Sequence, residues 1–263
     1  MLEKAKQAAQ KILPGRKLHS LNAHDVQDAR RYIGTFWKHL ERYHPKDDDT
    51  LYGLPKRYLV PAYMPGHSFD FDELYYWDSY FMIQGFLNKG HQELVLGILE
   101  DLVFLQKRLK IIPNASRTYL TGRSQPPLLT SFIFDVYEAY DLDKKWLAQN
   151  MAVAQNEYYN VWMGTTKPNE RQVYRGLSRY YDINYLHDLA ETESGWDMTP
   201  RFGRKALNYL PVDLNALLYK YETDFARAAA IAGDKEAEAS WMVQAKARQE
   251  TMDELMLSPG GRW

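Results

Sequence analysis

Cysteine is absent from the chain, so no disulfide, thiolate metal site or cysteine nucleophile contributes to it. Net charge is nearly absent too. The 33 Lys and Arg set against 34 Asp and Glu leave −1 at pH 7, with no basic excess to hold nucleic acid or an anionic membrane. No apolar run is long enough to span a bilayer. The opening Met1-Leu2-Glu3-Lys4-Ala5-Lys6 lacks the apolar core of an export signal, which makes a cytoplasmic location the expectation. No glycine-rich phosphate loop follows a strand pattern. The histidines, His19, His24, His39, His44, His67, His91 and His187, form no pair at metal-ligand spacing, so neither a metal nor another cofactor is expected.

What the chain has is apolar helical periodicity and aromatic rings. Stripes recur at helical spacing at Val26, Ala29, Ile33, Phe36, Trp37 and Leu40; at Leu94, Ile98, Leu102, Leu105 and Leu109; at Leu129, Phe132, Ile133, Val136, Tyr137 and Tyr140; and at Leu147, Met151, Ala154, Tyr158 and Val161. A further stripe follows Pro211, with Leu214, Leu217, Leu218, Tyr221, Phe225 and Ala228 on its buried face. The last helix is expected from Asp234, after the Gly233 break, to about Leu257, with Trp241, Ala245, Met252 and Leu255 inward. Adding a helix start near Tyr75 and a short helix near Ile183 gives seven or eight, with strand alternation almost missing: an all-α chain. At 263 residues and 45% hydrophobic content, a single domain spanning 1–263 is the expectation.

Four stretches carry chemistry. Glu191-Thr192-Glu193-Ser194-Gly195-Trp196-Asp197 sets an acid directly after an indole on a turn opened by Gly195. A carboxyl held against an apolar ring has its charged form desolvated, which raises its pKa and suits it to protonate a leaving glycosidic oxygen. The plainer reading of such a turn is a helix cap. Phe69-Asp70-Phe71-Asp72-Glu73-Leu74-Tyr75-Tyr76-Trp77-Asp78-Ser79-Tyr80 mixes rings that stack on sugar C–H faces with carboxylates that accept sugar hydroxyls. Asn114 to Pro127, closed by Arg123-Ser124-Gln125-Pro126-Pro127, reads as a ligand-contacting loop, although a loop arginine such as Arg117 is ordinarily a surface charge. Pro211-Val212-Asp213-Leu214-Asn215 opens a helix, and its Asp and Asn are expected to serve structure.

Taken together, Tyr75-Tyr76-Trp77-Asp78-Ser79-Tyr80, Arg123-Ser124-Gln125-Pro126-Pro127, Glu193-Ser194-Gly195-Trp196-Asp197 and Pro211-Val212-Asp213-Leu214-Asn215 resemble the trehalases, in family order. The resemblance implies an (α/α)₆ barrel and inverting hydrolysis of α,α-trehalose, with Asp197 as general acid. It also implies substrate contacts from Phe71, Tyr75, Trp77, Asp78, Asn114, Arg123, Ser124, Gln125 and Gly195. The seven or eight helices amount to about two thirds of such a barrel, the N-terminal portion.

Three departures from the family pattern stand out. Pro65-Gly66-His67-Ser68-Phe69-Asp70-Phe71 carries Asp70 near the place of the family's arginine. An Arg-Pro-Glu element ahead of the acid is missing, with Arg175 and Arg179 as the nearest substitutes. The second signature and its base do not occur, and Leu257 to Trp263 reads as a loop leaving a barrel helix. The base is therefore expected past Trp263, the chain alone is expected to be inactive, and the complete enzyme to be a monomer. The alternatives are another inverting α-glycosidase on the same fold, acting on other α-glucosides or α-mannosides, and a non-catalytic sugar-binding protein.

Overall fold

The computed structural model describes residues 23–64, 66, 70–87, 89–257 and 260. His19, His67, the Pro65 and Phe69 ends of the departing signature, and Ser258, Pro259 and Trp263 lie outside the described residues. The chain divides into two compact units, Met1–Leu40 and Glu41–Trp263.

In the first unit, α1 covers Ala23–Phe36 and is followed by a 3₁₀ turn, Trp37–His39. The expected inward stripe on α1 is not buried: Val26 and Ile33 are exposed. Among the described residues of this unit, that turn is the only other element.

The second unit holds α2 (Tyr76–Ile83), α3 (Gln92–Leu109), α4 (Leu129–Ala139), α5 (Lys144–Glu157), α6 (His187–Thr192), α7 (Val212–Ala232) and α8 (Lys235–Met256). The all-α expectation holds. Two short antiparallel ribbons, which periodicity had not announced, accompany the helices: β1 (Glu41–Tyr43) with β2 (Arg57–Leu59), and β3 (Gln172–Tyr174) with β4 (Leu177–Ser178).

The helix ends follow local chemistry. Asp143 caps α5 by accepting from the Trp146 N–H, and Asp234 caps α8 by accepting from the Ala237 N–H. Gly233, at φ +86°, stops α7 in the left-handed conformation that glycine adopts at least cost. Pro126 and Pro127 stand in the extended stretch before α4, not in its first turn. Leu255, expected inward, is exposed, while Trp241, Ala245 and Met252 on the same helix are buried.

The core is built on rings and on polar groups that share hydrogens. α5 runs on into a π turn, Tyr158–Trp162, whose side chains reach three neighbours. Just before it, Glu157 accepts from the Tyr76 hydroxyl at 3.2 Å and the Tyr221 hydroxyl at 2.8 Å. Those hydroxyls take the free Leu128 and Leu129 N–H groups at the start of α4. Burial pushes the Glu157 carboxyl up to about 7. Tyr158, Phe225 and Trp241 pack α5 against α7 and α8, with Phe225 and Trp241 centroids 4.6 Å apart. Beside them lies a buried ion pair, Arg248 with Glu222, 2.8 Å apart.

Candidate active site

The first and second signature stretches are stitched together by their backbones. Leu74 O accepts from the Ser116 N–H, Asn114 O accepts from the Tyr76 N–H, and Arg123 O accepts from the Asn114 N–H. The Ser116 hydroxyl oxygen returns the favour by accepting from the Leu74 N–H, and the Gln125 side-chain oxygen accepts from the Trp77 N–H at 2.9 Å. The Leu74, Tyr76, Trp77 and Ser116 N–H groups thus find acceptors on the other stretch, outside any regular strand.

The acid segment joins the same strip. Asn114 donates its side-chain amide to Ser124 O and Thr192 O. Glu193, fully buried, accepts from the Ser124 N–H at 2.7 Å, from the Tyr181 N–H at 2.8 Å and from the Arg171 guanidinium. Two residues on, the chain turns sharply. Gly195 has φ +72° and Asp197 has φ +57°, both left-handed. A Cβ on Gly195 would stand 2.5 Å from the Trp77 ring, so only glycine lets the indole lie this close to the backbone. Trp77 and Trp196 meet edge to face, centroids 5.8 Å apart.

Trp77, Asp78, Gln125, Gly195 and Asp197 are thus brought to one place. Asp78 is half-buried and hydrogen-bonded to Gln125; burial raises its carboxyl, and the nearby charge of Asp197 raises it further. Phe71 and Tyr75 pack edge to face at 5.7 Å, and the Tyr75 hydroxyl donates to Glu73. Asn114, Ser124 and Gln125 are buried, with Asn114 and Ser124 bonded to backbone groups, so the structure shows them building the wall of the cluster. Arg123 lies 3.0 Å from the buried Asp182 carboxylate, at an angle outside a hydrogen bond. Asp182 itself accepts from the Asn184 N–H.

Several expectations need correcting. Trp196 is 53% exposed and Asp197 is exposed, so the indole before the acid does not bury it; that ring packs on Trp77 and the Arg201 guanidinium instead. Arg117 is no surface charge, since it holds the buried Glu73 at 3.0 Å. Neither proposed substitute for the Arg-Pro-Glu element serves the cluster. Arg175 pairs with Glu254, and Arg179 donates to the carbonyls of Glu170 and Leu207. Asp70, expected near the place of the family's arginine, receives Arg42 from β1 at 3.0 Å. His187 accepts from the Leu207 N–H, which commits it to the loop beyond the acid.

Asp213 and Asn215 do serve structure, but through distant partners. Asp213 accepts from Tyr180 and Arg201, and Asn215 bridges Ser178 and Pro211. Sequence reasoning missed Arg171, Asp182, Glu191 and Arg201; Arg171 meets Glu193 22 positions away and Asp182 meets Arg123 across the fold, pairings that no local pattern marks. A cavity of about 720 Å³ is lined by Gly122, Arg171, Tyr181 and Ile183 among others, and by none of the Trp77–Asp197 cluster.

A bent indole–glycine contact, a paired Asp78 and an acid on a left-handed turn fit the signature pattern read in the sequence. Comparison with known proteins decides the matter: the trehalase family model matches residues 3–194 and 181–260. The chain belongs to the trehalase family. It is 30% identical over 249 residues to a probable trehalase of Oryza sativa subsp. japonica, a match covering 80% of this chain and 43% of the rice protein. It also superposes on neutral trehalase Nth1 from Saccharomyces cerevisiae with a TM-score of 0.68 and 28% identity, over 83% of this chain and 49% of the yeast chain. This trehalase-family chain therefore spans less than half the length of both relatives, and the trehalase-like helical barrel expected from its sequence is present in part.

Proposed function

We propose that this chain carries the general-acid half of an inverting α,α-trehalose hydrolase. Asp197 protonates the oxygen between the two glucose units, and Trp77, Asp78 and Gln125 hold one glucose against the Gly195 turn. The single observation that carries the reading is the convergence of Asp197 and Asp78 at the Trp77–Gly195 contact, in a chain of trehalase-family sequence. In an inverting pair the carboxyls stand roughly 6.5–9.5 Å apart with water between them. Here Asp78, bonded to Gln125, takes sugar hydroxyls, and the water-activating carboxylate comes from outside these 263 residues. General acid catalysis contributes about 10²–10⁴-fold, so this chain alone binds trehalose and turns it over slowly or not at all. A non-catalytic sugar-binding role is the limit of that behaviour.

A titration with trehalose, followed by the indole ¹⁵N–¹H resonances of Trp77 and Trp196, tests the reading. A saturable change with trehalose, larger than with methyl α-mannoside or isomaltose, supports it. A larger response to either of those sugars favours the second reading, another α-glycosidase, for which Asp70 and its Arg42 partner in place of the family arginine speak. No response to any of the three removes both.

A further inference from the structure

The acid turn is held at both ends by buried glutamates that do not themselves belong to the cluster. Glu191, 1% exposed, accepts from the Thr199 N–H at 3.0 Å and from the Thr199 hydroxyl at 3.2 Å, closing the loop across Asp197. Glu193, 0% exposed, points the other way. One of its oxygens takes the Ser124 N–H at 2.7 Å and Arg171 Nη2 at 2.5 Å; the other takes the Tyr181 N–H at 2.8 Å and Arg171 Nε at 3.1 Å.

Arg171 in turn cannot swing away. It is 4% exposed, and its guanidinium lies 5.5 Å from the Trp162 ring and 5.4 Å from the Tyr181 ring. The Trp162 side is fixed by the π turn, whose Trp162 carbonyl accepts from Ser178. A planar fork clamped between two rings gives its carboxylate partner one orientation.

We propose that Glu193, oriented by Arg171, is a positioning residue: it sets the Gly195–Asp197 turn against the Ser124–Gln125 strip and so fixes where the acid stands relative to Trp77 and Asp78. The inference rests on the proposed role of Asp197 but can be judged apart from it. A carboxylate is required because all four groups facing it are donors. In Glu193→Gln the amide would face either the Ser124 N–H and Arg171 or the Tyr181 N–H and Arg171, donor against donor in both orientations.

The experiment compares Glu193→Gln with Glu222→Gln, which breaks a second buried Arg–Glu pair, Arg248 with Glu222, away from the cluster. Both are followed by thermal melting, by the indole ¹⁵N–¹H resonances of Trp77 and Trp196, and by trehalose titration. Both variants are expected to melt at lower temperature. Only Glu193→Gln is expected to shift the two indole resonances and to weaken the trehalose response tenfold or more. Arg171→Lys, which keeps the charge but loses the fork, is expected to do the same in milder form, and it stands in if Glu193→Gln does not fold.

Identical behaviour of the Glu193 and Glu222 variants, with indole resonances and trehalose response unmoved, overturns the positioning role. If the unsubstituted chain shows no trehalose response, the proposed function fails. The positioning role is then decided by the ligand-free indole resonances alone, moved in Glu193→Gln if it is right and unmoved if it is wrong.

Discussion

Gly195→Ala is the substitution on which the geometry of the acid turn makes its sharpest demand. The added carbon would lie 2.5 Å from Trp77 Cε2 and 2.6 Å from Cζ2, where carbon atoms ordinarily rest about 3.5–4.0 Å apart. The residue also sits at φ +72°, a conformation that costs an L side chain roughly 1–2 kcal/mol. Overpacking a filled site typically adds about 1–3 kcal/mol. The total, about 2–5 kcal/mol, is a large share of the roughly 5–15 kcal/mol that holds a domain folded. For a chain of this size it corresponds to a fall in Tm on the order of 4–20 °C.

Gly233→Ala is the matched control. Its φ of +86° is as left-handed, yet nothing lies within 4 Å of the added carbon, so it carries only the conformational cost, roughly 1–2 kcal/mol. The difference between the two melts isolates the Trp77 contact. Combining Gly195→Ala with Trp77→Ala relieves the clash, so the double variant loses less than the two singles added together. The indole ¹⁵N–¹H resonance of Trp77 should move in Gly195→Ala and stay fixed in Gly233→Ala. Equal losses in the two alanine variants, with additive behaviour of the pair, would refute the close packing of Trp77 on this turn.

Other outcomes follow from the same contacts. Asp101, whose buried carboxyl is pushed from 3.8 up to about 8 by desolvation, keeps its proton when folded and loses it when unfolded. Its contribution is therefore fully present below about pH 4 and is lost as pH rises to about 8, at up to about 1.4 kcal/mol per pH unit. Asp101→Asn keeps an oxygen for the Lys56 N–H and should flatten that decline in urea melts taken from pH 5 to 9. Glu157, raised to about 7, adds a decline of the same sign. Asp197→Asn should leave trehalose binding within about threefold. In a longer protein that carries this segment and turns trehalose over, it should lower turnover by about 10²–10⁴-fold, measured as glucose release. Arg123→Ala strands the buried Asp182 carboxylate and should destabilise by about 3–5 kcal/mol in the same melts.

The parts of the candidate site that were legible in the sequence are those written as short runs. Trp77-Asp78, Arg123-Ser124-Gln125 and Gly195-Trp196-Asp197 each announce their chemistry within a few neighbours, and the structure gathers Trp77, Asp78, Gln125 and Asp197. What holds the runs together was not legible. Glu193 meets partners 69 and 22 positions away, and no local pattern marks Ser124 or Arg171 as those partners. For the same reason the sequence points to Arg175 and Arg179 and is silent on Arg171: in a stretch rich in arginine, only the fold decides which one is buried. The helices were legible wherever an apolar stripe met another element, as with Leu214, Leu218, Tyr221 and Phe225 on α7. On α1 the same pattern carried no such information, since a period says which face is apolar and nothing about what covers it.

The fastening of the acid turn divides its residues into two kinds. Glu191 and Glu193 carry the bonds that tie it down, while Trp196, Met198 and Asp197 at its tip are exposed. Selection can therefore explore the tip at little risk to folding, because a new side chain at position 198 displaces no buried partner, whereas the anchors are closed to change. A loop arranged in this way is free to acquire new preferences for what it touches while the position of Asp197 is inherited intact.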